Sequence, residues 1–154
     1  MAIEGRYQPS DHPDIPPAPY IRVQVAIPSP HRPTEDIEFL VDTGADVTTI
    51  MPDALLQLGL DVGKVQGQMK VAEGSGGISR YKEIKAELRF RDATSPTYFQ
   101  DFTTTIHLSA NPRNKGLPSL LGRDILNRCR CVFDAAQERL VLERNQGDEG
   151  RTWR

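Results

Sequence analysis

The chain is short of several things, and each shortage narrows the reading. Only two cysteines occur, Cys129 and Cys131. Two positions apart in a strand-like run, they share one face without easily closing a disulfide, which suits a reducing compartment. The three histidines, His12, His31 and His107, are scattered with no Cys or carboxylate at ligand spacing, so they read as structural or exposed and no metal centre is expected. No apolar run approaches the length that spans a bilayer, and Met1-Ala2-Ile3-Glu4-Gly5-Arg6 has no apolar signal-peptide core. A cytoplasmic location and no membrane partner are the expectation. Charge is also nearly balanced: the formal net value is -2, with Lys and Arg dispersed among Asp and Glu, which leaves no basic stripe for a nucleic-acid backbone.

What the chain does have is punctuation. In 154 residues, 12 Pro and 12 Gly break the sequence into short segments, which favours one domain of short strands and many turns. Pro9, Pro13, Pro16, Pro17 and Pro19 crowd the beginning. Residues 1–18 are therefore expected to form a Pro-rich extended arm or disordered leader, with the domain over 19–143 and a polar tail over 144–154. Ile21, Val23, Val25 and Ile27 alternate with Arg22, Gln24 and Ala26 as a half-buried strand that ends at Pro28-Ser29-Pro30, and a loop through His31, Arg32 and Pro33 leads to a second strand over 36–41. Pro52 to Leu60 reads as a short helix stopped by Gly59. Strands are expected over Ile84 to Phe90 and Phe99 to Leu108, then a short helix from Arg123, then a hairpin around Asp134-Ala135-Ala136-Gln137.

The chemistry is concentrated where the second strand ends. Phe39-Leu40-Val41 runs directly into Asp42-Thr43-Gly44-Ala45-Asp46, and Val47-Thr48-Thr49-Ile50 follows with strand-forming residues. An Asp after a strand ordinarily opens a solvated turn. Here the turn is tight and apolar on both sides, which points the carboxylate inward, where it needs a partner or a proton. Downstream, Val71-Ala72-Glu73-Gly74-Ser75-Gly76-Gly77-Ile78 resembles a phosphate cradle by its glycines alone. A strand rather than a helix follows, so a Gly-tipped hairpin fits better.

The extended loop Phe39 to Asp46, the Gly-rich turn, and Leu120-Leu121-Gly122-Arg123-Asp124, in that order, resemble the retropepsin-like family of aspartic proteases. The resemblance covers residues 20–143. It implies an all-β closed barrel with one short C-terminal helix, acting as a homodimer, because pepsin-like chemistry uses two facing carboxylates and this chain has one such loop. On that reading Asp42 is catalytic, and Thr43, Gly44 and Ala45 complete the active-site loop. Gly44, Asp46, Gly76, Gly77 and Ile78 bind substrate, the last three as the tip of a flap. Gly122 and Arg123 support the loop, Arg123 through an ion pair with Asp46. The implied activity is endopeptidase cleavage of a peptide or protein substrate by water activated between two Asp42 carboxylates, with no cofactor. The alternative is a catalytically weak or inactive module of the same fold that binds peptide or dimerises.

Overall fold

The computed structural model describes residues 2–27, 36–74, 77–95 and 97–148. Ten strands occur among them: β1 (Ile3–Gln8), β2 (Ala18–Ala26), β3 (Asp36–Val41), β4 (Thr49–Ile50), β5 (Gln68–Gly74), β6 (Gly77–Arg91), β7 (Phe99–Ser109), β8 (Ser119–Leu121), β9 (Cys129–Asp134) and β10 (Arg139–Arg144). The strand order is β5-β6-β7-β4-β8-β3-β2-β1-β10-β9, and β6 also pairs with β2 through Gln24↔Arg89, Val25↔Leu88 and Ala26↔Glu87. That extra pairing closes β2, β3, β8, β4, β7 and β6 into a six-stranded barrel. Alternation explains the closure. Ile21, Val23 and Val25 of β2, Ile37, Phe39 and Val41 of β3, and Ile84, Ala86, Leu88 and Phe90 of β6 all turn inward and are buried. Phe90 and Phe102 meet edge to face in this core, 5.3 Å between ring centres. Each such buried side chain contributes about 1.5–3 kcal/mol.

Two short helices flank the barrel, α1 (Pro52–Gln57) and α2 (Arg123–Leu126). The resemblance implied α2, and the Pro52 start with a Gly59 stop implied α1; Gly59 ends that segment at φ +66°.

Both ends of the chain depart from expectation. The Pro-rich arm expected over residues 1–18 begins as β1, which lies between two neighbours. It pairs with β10 through Ile3↔Leu142, Glu4↔Val141, Gly5↔Leu140 and Arg6↔Arg139, and with β2 through Arg6↔Tyr20, Tyr7↔Pro19 and Gln8↔Ala18. The physical reason is that every proline of this region lies at position 9 or later, so Ile3–Gln8 keeps all its N–H donors. The polar tail expected from residue 144 is likewise anchored at its start. Arg144 belongs to β10, and Asp148 is buried in an ion pair with Arg128. Residues 149–154, and the predicted loop through His31, Arg32 and Pro33, lie outside the described residues.

The arrangement that positions the site is the insertion of β8. It runs parallel to β3 (Phe39↔Ser119, Leu40↔Leu120, Val41↔Leu121) and antiparallel to β4 at Thr49↔Leu120. The chain leaves β3 at Asp42, loops out over residues 42–48, and returns as β4 with a distant segment held between the two.

Candidate active site

Asp42 is fixed by its backbone before its side chain is considered. Its N–H donates to the Leu121 carbonyl at 3.0 Å, extending the β3–β8 ladder by one residue, and the Ala45 N–H donates back to its carbonyl at 3.2 Å. The carboxylate Oδ1 then accepts the Gly44 N–H at 2.8 Å. This is a local Asx turn, and it corrects the expectation of an inward carboxylate: in one copy Asp42 is half-buried, beside exposed Thr43, Gly44 and Asp46. The turn supplies a hydrogen-bond partner without burial, so nothing in a single chain forces the side chain into the core.

The second sequence piece locks the first. Arg123 N–H donates to the Ala45 carbonyl at 2.9 Å, and Asp124 N–H to the Asp46 carbonyl at 3.3 Å. Gly122 fits between them only because it has no side chain. A Cβ there would sit 2.8 Å from the Val47 carbonyl carbon, 2.9 Å from the Ala45 oxygen and 3.0 Å from the Thr48 nitrogen, all backbone atoms that cannot swing aside. Gly122→Ala is thus expected to cost about 1–3 kcal/mol, read as a lower urea midpoint. An unchanged midpoint would mean the loop slides freely over α2.

Arg123 reaches the loop by side chain as well. Its Nη1 donates to the Thr43 carbonyl at 2.7 Å and its Nη2 contacts Asp46 Oδ1, so the two predicted partners do meet. The pair is open to water, with 41% of the Arg123 side chain and 82% of Asp46 exposed. A double-mutant cycle with Arg123→Ala and Asp46→Ala should therefore return a coupling below about 1 kcal/mol in the isolated chain. A value well above that would place the pair in a drier setting than one copy provides.

Asp124 carries a role that sequence reading missed. Its Oδ1 accepts from Thr48 twice, from the N–H at 3.0 Å and from the hydroxyl at 2.7 Å, while Oδ2 accepts the Thr104 hydroxyl at 3.2 Å. The Thr48 hydroxyl in turn accepts the Gly122 N–H at 3.1 Å, so it both donates and accepts within the knot. Burial pushes the Asp124 carboxyl above its ordinary range, and the bonds from Thr48, Thr104 and the Ile125 N–H only partly offset this. The network joins α2, the residue before β4, and β7. In the sequence, an acid in the first turn of a helix gives no hint of it. Asp124→Asn retains an acceptor for Thr48 and a donor for Thr104. It is expected to keep most of the stability that Asp124→Ala loses, a contrast readable in paired thermal melts.

The other predicted site residues sit apart from this knot. The β5–β6 hairpin is paired to its end, Glu73↔Ile78 and Gly74↔Gly77, and Gly77 holds φ +102°, which a side chain would strain. Ile78 is 67% exposed and shares its sheet face with Lys82 and Ile84. Gly76 lies outside the described residues. Among the described residues, no three His, Cys, Asp or Glu side chains converge as metal ligands.

The profile of the retroviral aspartyl protease family matches residues 16–134. Among solved structures, the chain is similar to a retropepsin-like aspartic protease from Rickettsia conorii, with TM-score 0.58 and 20% identity over 92% of this chain and 91% of that one. Similarity to EIAV protease complexed with an inhibitor is weaker, TM-score 0.43 and 18% identity over 77% of this chain and 92% of the other. No curated protein matches the chain significantly.

Proposed function

Because the chain belongs to the retroviral aspartyl protease family, we propose that it is an aspartic endopeptidase whose site forms when two copies bring their Asp42 carboxylates together. The observation that carries this reading is the Asp42 loop itself. It is an Asp-Thr-Gly turn at the end of β3, locked from beneath by β8 and α2, with its carboxylate left accessible on an open face. A turn held so firmly yet left open by its own chain suits a face that meets a second copy.

In the assembled site, two facing carboxylates repel and hold one proton between them. The charged member takes a proton from a water as its oxygen attacks the peptide carbonyl carbon, and the protonated member gives its proton to the carbonyl oxygen. Collapse of the tetrahedral diol breaks the C–N bond: the amine leaves with a proton from the pair, one diol hydroxyl gives its proton to the other carboxylate as the new carboxyl forms, and the pair again holds one proton. The substrate is an extended peptide lying along Gly44 and Asp46, with the hairpin end that carries Gly77 and Ile78 closing over it.

The test is to titrate wild-type chain with Asp42→Asn chain at fixed wild-type concentration, reading cleavage of an unfolded protein such as casein. At equal amounts, random pairing leaves about half of the wild-type chains with a wild-type partner, so activity should fall to about half. Activity that ignores the added variant would overturn the two-copy site. Peptide binding without any cleavage by wild type would favour a binding module instead.

A further inference from the structure

β2 changes partner along one of its edges. Ala18 to Tyr20 pair there with β1, Arg6↔Tyr20 being the last match, and Gln24 to Ala26 pair with β6, beginning at Gln24↔Arg89. Ile21, Arg22 and Val23 lie between, with no described strand partner on that side. Beyond this fork β1 runs against β10 and β6 against β7, and the Ala93 N–H closes the far end by donating to the Ala2 carbonyl at 2.8 Å. The sheet thus parts into a cleft of about 580 Å³ on the outer face of the barrel, with buried Ile3 and Ile21 in its lining. No residue of the 42–48 loop borders it.

Four arginines line the cleft: Arg6 of β1, Arg22 of β2, and Arg89 and Arg91 of β6. Their partners are uneven. Arg89 is matched by Asp101, Nε to Oδ1 at 3.0 Å. Arg22 has Glu38 only at 3.7 Å, with 75% of its side chain exposed, and Glu38 also accepts from Gln8 Nε2. Arg6 makes no side-chain hydrogen bond or ion pair among the described residues. Of the other acids in the lining, Glu4 is bonded to Arg139 at 2.9 Å, and Asp36 stands one row further along β2, opposite Gln24. The β2–β6 register carried two residues past Gln24↔Arg89 sets Arg91 across the gap from Arg22. Like charges facing each other across a sheet repel, and here the strands part at that row. The Arg91 guanidinium also lies 5.1 Å from the centre of the Phe99 ring, at the margin of the gap.

We infer that this cleft binds a phosphate group, held by Arg6, Arg22 and Arg91. Its several oxygens accept charge-assisted bonds from more than one guanidinium at once, and its double charge offsets the repulsion between Arg22 and Arg91 where a single carboxylate offsets half of it. The cleft is larger than one phosphate, so the group is either free or carried by a small ester. Seated there, it ties β1 to the barrel wall at the one row where β2 joins neither β1 nor β6.

Isothermal titration of the full-length chain with inorganic phosphate, at constant ionic strength, tests the site. A Kd of about 1 mM or tighter is expected. Arg6→Gln and Arg22→Gln should each weaken binding by about tenfold. Both side chains are exposed, so neither change should move the melting temperature measured without phosphate. Arg130→Gln, an exposed arginine on β9 outside the cleft, should bind as wild type does. Ribose 5-phosphate separates the two sources: tighter binding than inorganic phosphate points to a small ester, equal or weaker binding to the free ion, and both uphold the site. No heat with either ligand at millimolar concentration overturns it, as does an affinity unchanged in either Arg6→Gln or Arg22→Gln. Binding is read without peptide cleavage, so this site stands or falls separately from the one at Asp42.

Discussion

Asp42→Asn is expected to lower peptide cleavage by about a thousandfold or more while leaving the melting temperature nearly unchanged. The two halves of that outcome have separate causes. An amide has nearly the shape of a carboxylate, and its oxygen can still accept the Gly44 N–H that now reaches Asp42 Oδ1. The backbone bonds at Asp42, to the Leu121 carbonyl and from the Ala45 N–H, do not involve the side chain. Folding therefore loses little. Chemistry loses the group that accepts a proton from water, since an amide cannot do so and cannot share a proton with a partner carboxylate. Initial rates on unfolded casein, with thermal melts of the same preparations, read both. A variant that cleaves at the wild-type rate would remove Asp42 from the reaction.

The largest stability effect is expected outside that loop, at Asp148. Arg128 and Asp148 are 3% and 4% exposed, and Arg128 Nε donates to both carboxylate oxygens at 2.9 and 3.0 Å. Arg144 Nε donates to Oδ2 at 2.9 Å. The same two guanidinium groups bond the Thr103 and Asp101 carbonyls of β7 and lie 4.9 and 4.2 Å from the centre of the core ring of Phe102. Asp148→Ala leaves Arg128 buried with no carboxylate, a situation that costs about 3–5 kcal/mol. A urea midpoint shift equivalent to less than about 1 kcal/mol would show that water replaces the carboxylate. Acid should mimic the variant. Burial raises the Asp148 carboxyl, but the hydrogen bonds from Arg128 and Arg144 outweigh it and hold the group below the ordinary carboxylate range. A carboxyl depressed in the folded state stabilises fully above its unfolded value, and this is lost as pH falls through the lowered one. Asp148→Ala should therefore show less loss of stability than wild type on acidification.

How far the molecule could be read in advance depended on how far apart the interacting residues lie. The strand over 36–41 and its Asp-Thr-Gly exit were legible, because alternation and turn chemistry act within a few neighbours. The barrel came from the family resemblance that this loop carries together with the Gly-rich turn and Leu120 to Asp124. Asp124 and Asp148 were opaque for the opposite reason: Thr48 is 76 positions from Asp124, and Arg128 is 20 from Asp148. No local pattern marks either carboxylate as buried. β1 was lost to averaging. Its six residues contain no proline, but they were read together with the proline-dense stretch that follows, and Gly5 weakened the strand signal further. That glycine has a reason visible only in the fold, since a Cβ there would lie 2.5 Å from the Tyr20 carbonyl oxygen.

The pairing of β1 with β10 also sets an order of events during synthesis. Ile3 leaves the ribosome long before its partner Leu142. Until then, among the described strands, β1 pairs with β2 alone, through Arg6 to Gln8. The Asp42 loop waits nearly as long, because β8 at Ser119–Leu121 must be made before it can slip between β3 and β4. Contacts closed across so much chain form slowly. A nascent chain interrupted before residue 119 can display an Asp-Thr-Gly turn but has only the local bonds from the Gly44 and Ala45 N–H groups to hold it, so whatever this face does begins only once β8 and α2 have emerged to brace it.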